Sequence, residues 1–210
     1  EGYIGWEKLK QLSHKQPYDA FLLGNSCTMA FDCLEWNKYI HARPYRFFSN
    51  NENLGDLCVK LHALDSLYRR PVRYLLIITE PSSFSSCVLR DGPMHIMPTD
   101  VSGASESKIQ LTFFQSFLDT RFLLPYLRYQ ITGKYDRGMQ NRISPYCPTR
   151  TLWTNDAILN QEDTIKAQGK RYWEGRKWTK LDADIAHPIV EPAFIMQPQR
   201  DCLQAIHNFC

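Results

Sequence analysis

A near-continuous apolar run from Arg73 to Thr79 (RYLLIIT) constrains the fold more than any other feature of the sequence. A strand with one face in water alternates apolar and polar residues, whereas an unbroken run predicts a strand covered on both faces, as in parallel sheets. Shorter apolar runs, which also predict strands, extend from Tyr18 to Leu23 and from Tyr45 to Phe48. Helix-length segments separate the three runs, so the sequence predicts a β-α-β-α-β unit in a wound parallel sheet.

The sequence defines one of the two connecting helices more clearly than the other. The second connection has apolar residues at helical spacing, namely Leu54, Leu57, Leu61, Leu64 and Tyr68. Ser49 and Glu52 have the spacing of a capping box, which predicts where this helix begins. A less regular helix from about Met29 to Ile40 is expected to link the first two strands.

The pattern changes beyond Pro81. A Ser-rich stretch punctuated by proline continues to Gly103 and predicts a loop across the top of the sheet. One helix is then expected from about residue 107 to 129. We interpret its aromatic stripe as core or as a packing interface: Phe113, Phe114, Phe117, Phe122 and Tyr126. The polar stretch 133–187 predicts an insertion or lid, and 199–210 predicts a terminal amphipathic helix.

The predicted organisation is a single domain over residues 1–210, with a mainly helical and loop insertion at about 85–195. Because a wound sheet normally continues with a strand after such a terminal helix, we expect a further strand and loop beyond Cys210. The chain begins at Glu1 without an initiator Met, which leaves room for an upstream targeting or membrane-anchoring segment. No apolar run approaches the roughly 20 residues that a membrane-spanning helix needs.

Composition excludes several classes of protein and site. With 43% hydrophobic and 22% charged residues, the chain is an ordinary folded protein. A net charge of +3 is small for a nucleic-acid-binding protein, so no nucleic-acid partner is expected. The seven cysteines form no CxxC pair, which argues against structural zinc. We interpret them as buried free thiols, with one or two disulfides left open. No phosphate-binding loop or metal-ligand spacing is present, so we expect neither cofactor nor metal.

The junction Gly24-Asn25-Ser26 is the strongest candidate for chemistry. It follows a predicted strand and precedes a helix, and ligands and catalytic groups gather at this position in wound α/β folds. A serine near a helix N-terminus has free N–H groups beside it that can hold an oxyanion. Ser26 is therefore a candidate nucleophile. The alternative is that Ser26 or Thr28 only caps the following helix.

The segment YDAFLLGNSCTMAFDCLEW resembles the first block of the SGNH/GDSL hydrolase superfamily, particularly the envelope-associated branch related to alginate and teichoic-acid modification proteins. In that branch Gly-Asn-Ser often replaces Gly-Asp-Ser. The strings FFSNNENLGDL, YLLIITEPSSF and HIMPTDVSGAS extend the similarity over residues 18–129. The resemblance implies a three-layer α/β/α wound parallel sheet of the SGNH or flavodoxin-like type.

It also implies that Ser26 attacks an ester or acyl carbon and that its backbone N–H helps to hold the oxyanion. The family's second oxyanion donor, a glycine, falls near Ser49 to Asn51, where the chain has no glycine. The third donor, an asparagine, falls near Glu80, and EPSSF contains no asparagine. The backbone N–H groups of Asn50 or Asn51, or the Asn51 amide, are candidate substitutes.

The family supplies its base from an Asp-x-x-His motif near the C-terminus. Asp184 and His187 match this spacing, although no predicted strand leads into Asp184. We favour a position beyond Cys210 for the acid and the histidine and keep Asp184 and His187 as the alternative. Of the other histidines, only His95, in the Pro-flanked loop above the sheet, is singled out for mutation.

A basic and aromatic cluster surrounds Trp173 and Trp178; its other members are Lys166, Lys170, Arg171, Tyr172, Arg176, Lys177 and Lys180. Such a run is usually a solvated face, but the mixture also suits an anionic polymer. Because the whole chain is barely basic, a charged glycan is favoured over nucleic acid.

Together these features predict an extracytoplasmic esterase or O-acyltransferase that acts through Ser26 on a cell-envelope carbohydrate, with an acylated glycan or polysaccharide as its partner. The alternative is a non-catalytic member of the same fold that binds glycan or a partner protein through Trp173 and Trp178.

Overall fold

A computed structural model describes residues 2–139, 150–158, 162–174 and 195–210. Within them the protein is a mixed α/β structure built on a three-stranded parallel sheet. The strands are β1 (Ala20–Gly24), β2 (Pro44–Phe48) and β3 (Tyr74–Ile78), in the spatial order β2-β1-β3. The predicted β-α-β-α-β order and the parallel pairing are confirmed.

Eight α-helices lie within the described residues: α1 (Gly2–Ser13), α2 (Cys33–Ile40), α3 (Leu54–Ala63), α4 (Thr99–Ser102), α5 (Glu106–Leu118), α6 (Thr120–Thr132), α7 (Glu162–Gln168) and α8 (Gln197–Phe209). Short 3-10 helices span Ser26–Ala30, Pro81–Ser85, Arg137–Met139 and Gly169–Trp173, and a π-helical turn, Leu64–Tyr68, follows α3. The predicted terminal helix is thus confirmed as α8, which packs on α3.

The central strand is the one that is covered on both faces. Every residue of β1 is buried, whereas every residue of β3 is only half-buried. The prediction of full coverage is therefore wrong for β3, although its apolar run is the longest. The physical reason is the strand order, since β3 pairs with β1 on one side and with no other described strand.

The main core lies where one face of the sheet meets α1 and α3. Phe21 and Phe47 point into it, and Trp6 of α1 packs on Phe47 with ring centroids 4.6 Å apart. The hydroxyl of Tyr45 donates to the Gly5 carbonyl of α1 at 2.7 Å, so the phenol is buried without losing its hydrogen bond.

Residues 150–158 cover the outer edge of β2, although the sequence placed them within an insertion or lid. The Arg46 N–H donates to the Thr154 carbonyl at 2.9 Å, and the Asn155 amide returns a 2.9 Å bond to the Arg46 carbonyl. The buried guanidinium of Arg46 also pairs with Asp156 at 2.8 Å. This segment is therefore part of the packed body of the protein.

The predicted capping box is wrong. Asn53 is the N-cap of α3 and Asp56 closes the box, because each side chain accepts a hydrogen bond from the other's backbone N–H. Ser49 and Glu52 are instead buried and face Lys60. The helix begins later than the sequence pattern predicted, and the two polar residues are used inside the protein.

Two predicted helices are also divided. The segment from Met29 to Ile40 contains the end of a 3-10 helix, an extended Phe31, and then α2, which Asp32 caps. The expected helix over 107–129 is two helices that meet at Asp119, whose carboxylate caps α6. The core interpretation of the aromatic stripe is wrong, since Phe114 is 59% exposed, while Phe117 does pack across the junction against Phe122.

Candidate functional site

The candidate site lies where β1 ends, beside the ends of β2 and β3. Gly24 has φ +137, and a Cβ there would overlap the Ile78 carbonyl oxygen of β3. Only glycine fits this approach without strain. The chain therefore leaves the sheet tightly against β3 and turns directly into the 3-10 helix that begins at Ser26.

Ser26 is half-buried, and its hydroxyl makes no hydrogen bond within the described part of the chain. The capping role is filled by Asn25, whose side-chain oxygen accepts from the Cys27 N–H at 2.8 Å. The buried Thr28 hydroxyl donates to the Asn25 carbonyl at 2.8 Å. Capping therefore does not account for Ser26, and its hydroxyl remains available for another role.

A carboxylate stands beside this turn. Glu80, the second residue after β3, accepts hydrogen bonds from the Asn25 amide at 2.6 Å, the Ser82 hydroxyl at 2.7 Å and the Cys27 thiol at 3.2 Å. The Ser82 hydroxyl, with help from Cys27, lowers the pKa of the Glu80 carboxyl. Glu80 is thus ionised at neutral pH and is only an acceptor.

This carboxylate occupies the region where the resemblance places an asparagine donor. An ionised Glu80 has no proton to donate to an oxyanion, and its charge would repel one. What it does is hold Asn25, which in turn holds the Cys27 N–H. From the sequence, Glu80 was evident only as a departure from the pattern that the resemblance implies, and its positioning role was missed. Its signal was a polar residue immediately after the third predicted strand.

Cys27 is a second nucleophilic side chain next to Ser26, and it is exposed. Its hydrogen bond to Glu80 raises the pKa of the Cys27 thiol. Thiols react as thiolates, so this contact keeps Cys27 in its less reactive form at neutral pH. Of the two neighbouring groups, Ser26 is therefore the better candidate nucleophile.

The loop after β2 holds a buried ion pair. Glu52 and Lys60 are both fully buried and contact each other, and the Lys60 ammonium donates to the Ser49 hydroxyl at 3.2 Å. Burial raises the pKa of the Glu52 carboxyl to about 7, and Lys60 opposes that shift. The Ser49 N–H donates to the Gly24 carbonyl at 3.3 Å, which ties this loop to the end of β1.

The substitute oxyanion donors predicted from the sequence lie in this same loop. Because Ser49 gives its N–H to Gly24, it has none left for a ligand. The backbone N–H groups of Asn50 and Asn51 donate no hydrogen bond to other described residues, and Asn51 is exposed with φ +53. Their role as donors stays a prediction.

Several predicted site residues fall outside the described residues. These are the candidate base pair Asp184 and His187, and Trp178 of the basic and aromatic cluster. Trp173 is described, is 43% exposed, and meets Tyr172 edge to face with ring centroids 4.9 Å apart. The structure does not bring Trp173 together with Ser26 through any contact between described residues.

His95 lies in the irregular stretch between the 3-10 helix Pro81–Ser85 and α4, and no hydrogen bond joins it to Ser26 among the described residues. It lines a cavity of about 200 Å³ together with Arg90 and Lys108. Burial lowers the pKa of the His95 imidazole, and its Nδ1 has no hydrogen-bond partner among the described residues. His95 is a neutral ring in a separate pocket rather than an evident base for Ser26.

The described residues contain neither a candidate metal site nor a candidate membrane span. Among them, no group of three or more His, Cys, Asp or Glu side chains is placed to hold a metal ion. No helix in the same part of the chain combines the length and the apolar character needed to cross a membrane.

Comparison with known proteins identifies no relative of the chain. No family model, no curated protein and no solved structure gives a significant match to the chain. The residues at the end of the sheet and the sequence resemblance are therefore the only pointers to function.

Proposed function

We propose that the protein is an esterase or O-acyltransferase that acts on a cell-envelope carbohydrate through Ser26. The observation that carries this proposal is the position of Ser26 directly after the buried central strand, with an unengaged hydroxyl and with Asn25 performing the capping. Sites at the carboxyl ends of central parallel strands are where such folds do their chemistry.

In the first step, the Ser26 oxygen forms a bond to the acyl carbon and gives its proton to a base, and the ester C–O bond breaks as the carbohydrate oxygen leaves with a proton. In the second step, water or an acceptor hydroxyl attacks the acyl carbon of the acyl-serine. The bond to the Ser26 oxygen then breaks, Ser26 regains its proton, and the acyl group leaves on the attacking oxygen. Asp184 and His187, or groups beyond Cys210, are the proposed acid and base. The backbone N–H of Ser26 is the proposed first oxyanion donor, since it donates no hydrogen bond within the described chain.

Asn50 and Asn51 are the proposed second oxyanion donors because their loop is tied to β1. The Ser49 to Gly24 hydrogen bond brings the end of β2 against the end of β1, so the next N–H groups emerge on the same edge as Ser26. Backbone donors of this kind need no particular side chain. The missing glycine of the family pattern is therefore compatible with catalysis.

We further propose that the parallel sheet is the centre of a three-layer α/β/α domain with a long insertion, and that the protein is extracytoplasmic. The three-layer arrangement is supported by α1 and α3 against the Phe21 face and, on the other face, by the start of α2, whose Cys33 N–H donates to the Asp156 carboxylate that pairs with Arg46. The location is supported by the resemblance to envelope-associated proteins.

The test is turnover of acetylated polysaccharide by the full-length protein and by its Ser26→Ala variant. We expect Ser26→Ala to reduce kcat by at least 10³-fold, as removal of a serine nucleophile does. Cys27→Ala is the matched control, since Cys27 lies within the same turn and carries the neighbouring nucleophilic group. Activity that survives Ser26→Ala but falls in Cys27→Ala would overturn the assignment of the nucleophile.

The second candidate is a non-catalytic domain that binds glycan or a partner protein through Trp173 and Trp178. It is favoured by one observation, the acceptor-only carboxylate of Glu80 in the region of a donor. Exposed tryptophan faces bind sugar rings and cations well. Equal glycan affinity in the wild type and in the Trp173→Ala/Trp178→Ala double variant would exclude this form of the hypothesis.

A further inference from the structure

Three thiols meet where α8 crosses α3, away from the contacts of Ser26. Cys58 lies in α3, Cys202 lies in α8, and Cys87 lies in the loop that follows the 3-10 helix Pro81–Ser85. The Cys58 thiol donates to the Cys202 carbonyl at 3.6 Å. Cys87 and Cys202 both pack against the main core, and each lies close enough to the other to shift its pKa. Cys202 therefore neighbours both of the other cysteines.

The backbone around this cluster is held on both sides. At Gly55 a Cβ would overlap the Cys87 carbonyl, so the glycine lets the loop lie directly on the first turn of α3. The Asn53 amide fixes the next loop residue by donating to the Val88 carbonyl at 3.0 Å. From α8, the Gln199 amide donates to the Phe84 carbonyl at 3.2 Å. The Cys87 loop and α8 are therefore both anchored beside each other.

We propose that Cys87 and Cys202 form a disulfide under oxidising conditions and that this pair is a redox modification site of the protein. Of the two cysteines beside Cys202, Cys87 lies in an irregular loop, which adjusts to the narrow geometry of a disulfide. Cys58 lies in a regular helix packed against a second regular helix, which leaves less freedom. Cys58 also directs its thiol at a carbonyl oxygen.

The oxidant is a low-molecular-weight disulfide such as oxidised glutathione. The Cys202 thiol first loses its proton to solvent. The resulting thiolate attacks the small disulfide, which forms a mixed disulfide with Cys202 and releases one small thiolate that takes up a proton. The Cys87 sulfur then loses its proton, attacks the Cys202 sulfur and displaces the second reduced thiol. Two protein thiols are oxidised by two electrons, and one small disulfide is reduced to two thiols.

Burial raises the pKa of the Cys87 thiol to about 11, so its attack is slow at neutral pH and faster at higher pH. The completed bond would join α8 to the loop that continues from Glu80 and Ser82. It would close a long loop of chain and so raise the melting temperature, since cross-links that close long loops restrict the unfolded chain. This inference does not depend on the proposed esterase activity.

The experiment incubates the folded full-length protein with oxidised glutathione at pH 8.5, blocks the remaining thiols, and maps the peptides by mass spectrometry without reduction. The expected result is one cross-linked peptide pair containing Cys87 and Cys202, and a melting temperature that rises by several degrees and returns after reduction. Cys87→Ser and Cys202→Ser should each lose both the cross-link and the shift.

Cys27→Ser and Cys210→Ser are the matched controls, because those cysteines are exposed and lie outside the cluster. Both variants should keep the cross-link. A Cys58–Cys202 cross-link would overturn the proposed pairing. Glutathione adducts confined to Cys27 and Cys210, or no loss of thiols from the cluster after prolonged incubation, would overturn the site itself.

Discussion

Two polar clusters lie side by side at the carboxyl edge of the sheet, and they use their charges in opposite ways. Glu52, Lys60 and Ser49 are sealed inside the protein at the end of β2. Asn25 and Glu80 lie between the ends of β1 and β3, next to the half-buried Ser26. Burial raises the pKa of Glu52, whereas hydrogen bonds lower the pKa of Glu80.

The difference shows that burial, rather than the number of polar groups, separates a structural cluster from a chemical one. A closed ion pair has no access to substrate, so it contributes only by holding the loop of Ser49 against Gly24. Asn25 and Glu80, in contrast, are ordered by their hydrogen bond and lie next to the unengaged Ser26 hydroxyl, which a substrate can reach. We therefore keep Ser26 as the proposed site of chemistry and interpret the buried pair as structural.

The largest expected effect comes from breaking the closed cluster with Lys60→Met. The variant leaves the Glu52 carboxylate buried without its partner, which costs about 3–5 kcal/mol of unfolding free energy. Chemical denaturation measures this cost. Lys38→Met is the control, because Lys38 pairs with Glu35 on an exposed helix face and should cost less than about 1 kcal/mol.

The stability loss in Lys60→Met should also depend on pH, and the direction of that dependence follows from the raised pKa of Glu52. In the wild type the pKa of Glu52 is raised to about 7, so its contribution to stability is present below the unfolded pKa and is lost as the pH rises through about 7. Without Lys60 this pKa is higher still. Lys60→Met should therefore recover stability relative to the wild type as the pH falls from 8 to 5. A cost that is equal at both pH values would contradict a buried Glu52 charge.

The next effect concerns Gly24, whose backbone separates the two clusters. Gly24→Ala adds a Cβ at φ +137 and against the Ile78 carbonyl, and we expect a loss of about 3 kcal/mol from strain and overlap. Gly92→Ala is the matched control, since Gly92 also has positive φ but open space around it. Equal costs in thermal or chemical unfolding would show that close approach to β3 is unimportant.

The smallest effect on stability is expected in the open cluster. Glu80→Gln should cost less than about 1 kcal/mol at pH 7, because the carboxylate is partly solvated. The lowered pKa of Glu80 means that its contribution is present above the unfolded pKa and is lost as the pH falls through the folded one. The difference between Glu80→Gln and wild type should therefore shrink as the pH falls below the unfolded pKa of Glu80. A difference that does not change as the pH is lowered would mean that Glu80 does not act through its charge.

Much of the fold was predictable because strands and amphipathic helices have local patterns. The three strands and the α3 helix follow from the apolar runs and from the spacing of Leu54, Leu57 and Leu61. Burial was less predictable, since strand order depends on contacts between distant segments, and β1 is central despite its shorter run. The role of residues 150–158 also depends on a distant partner, the edge of β2.

The site was predictable only in part for the same reason. The Gly-Asn-Ser junction stands out locally, so Ser26 could be proposed from the sequence alone. Glu80 acts through Asn25 and Cys27, which are far away in sequence, and Glu52 and Lys60 meet only after α3 has packed. Ser49 and Glu52 matched a helix-capping pattern by spacing alone, although Asn53 and Asp56 fill that role.

The most direct test of the account is labelling of the full-length protein with a fluorophosphonate probe, which reacts with activated serine hydroxyls, followed by mapping of the modified residue. We predict one major label, on Ser26, that disappears in Ser26→Ala and persists in Cys27→Ala. Labelling at another residue, labelling that survives Ser26→Ala, or no labelling of the folded protein would contradict a nucleophile at the end of β1.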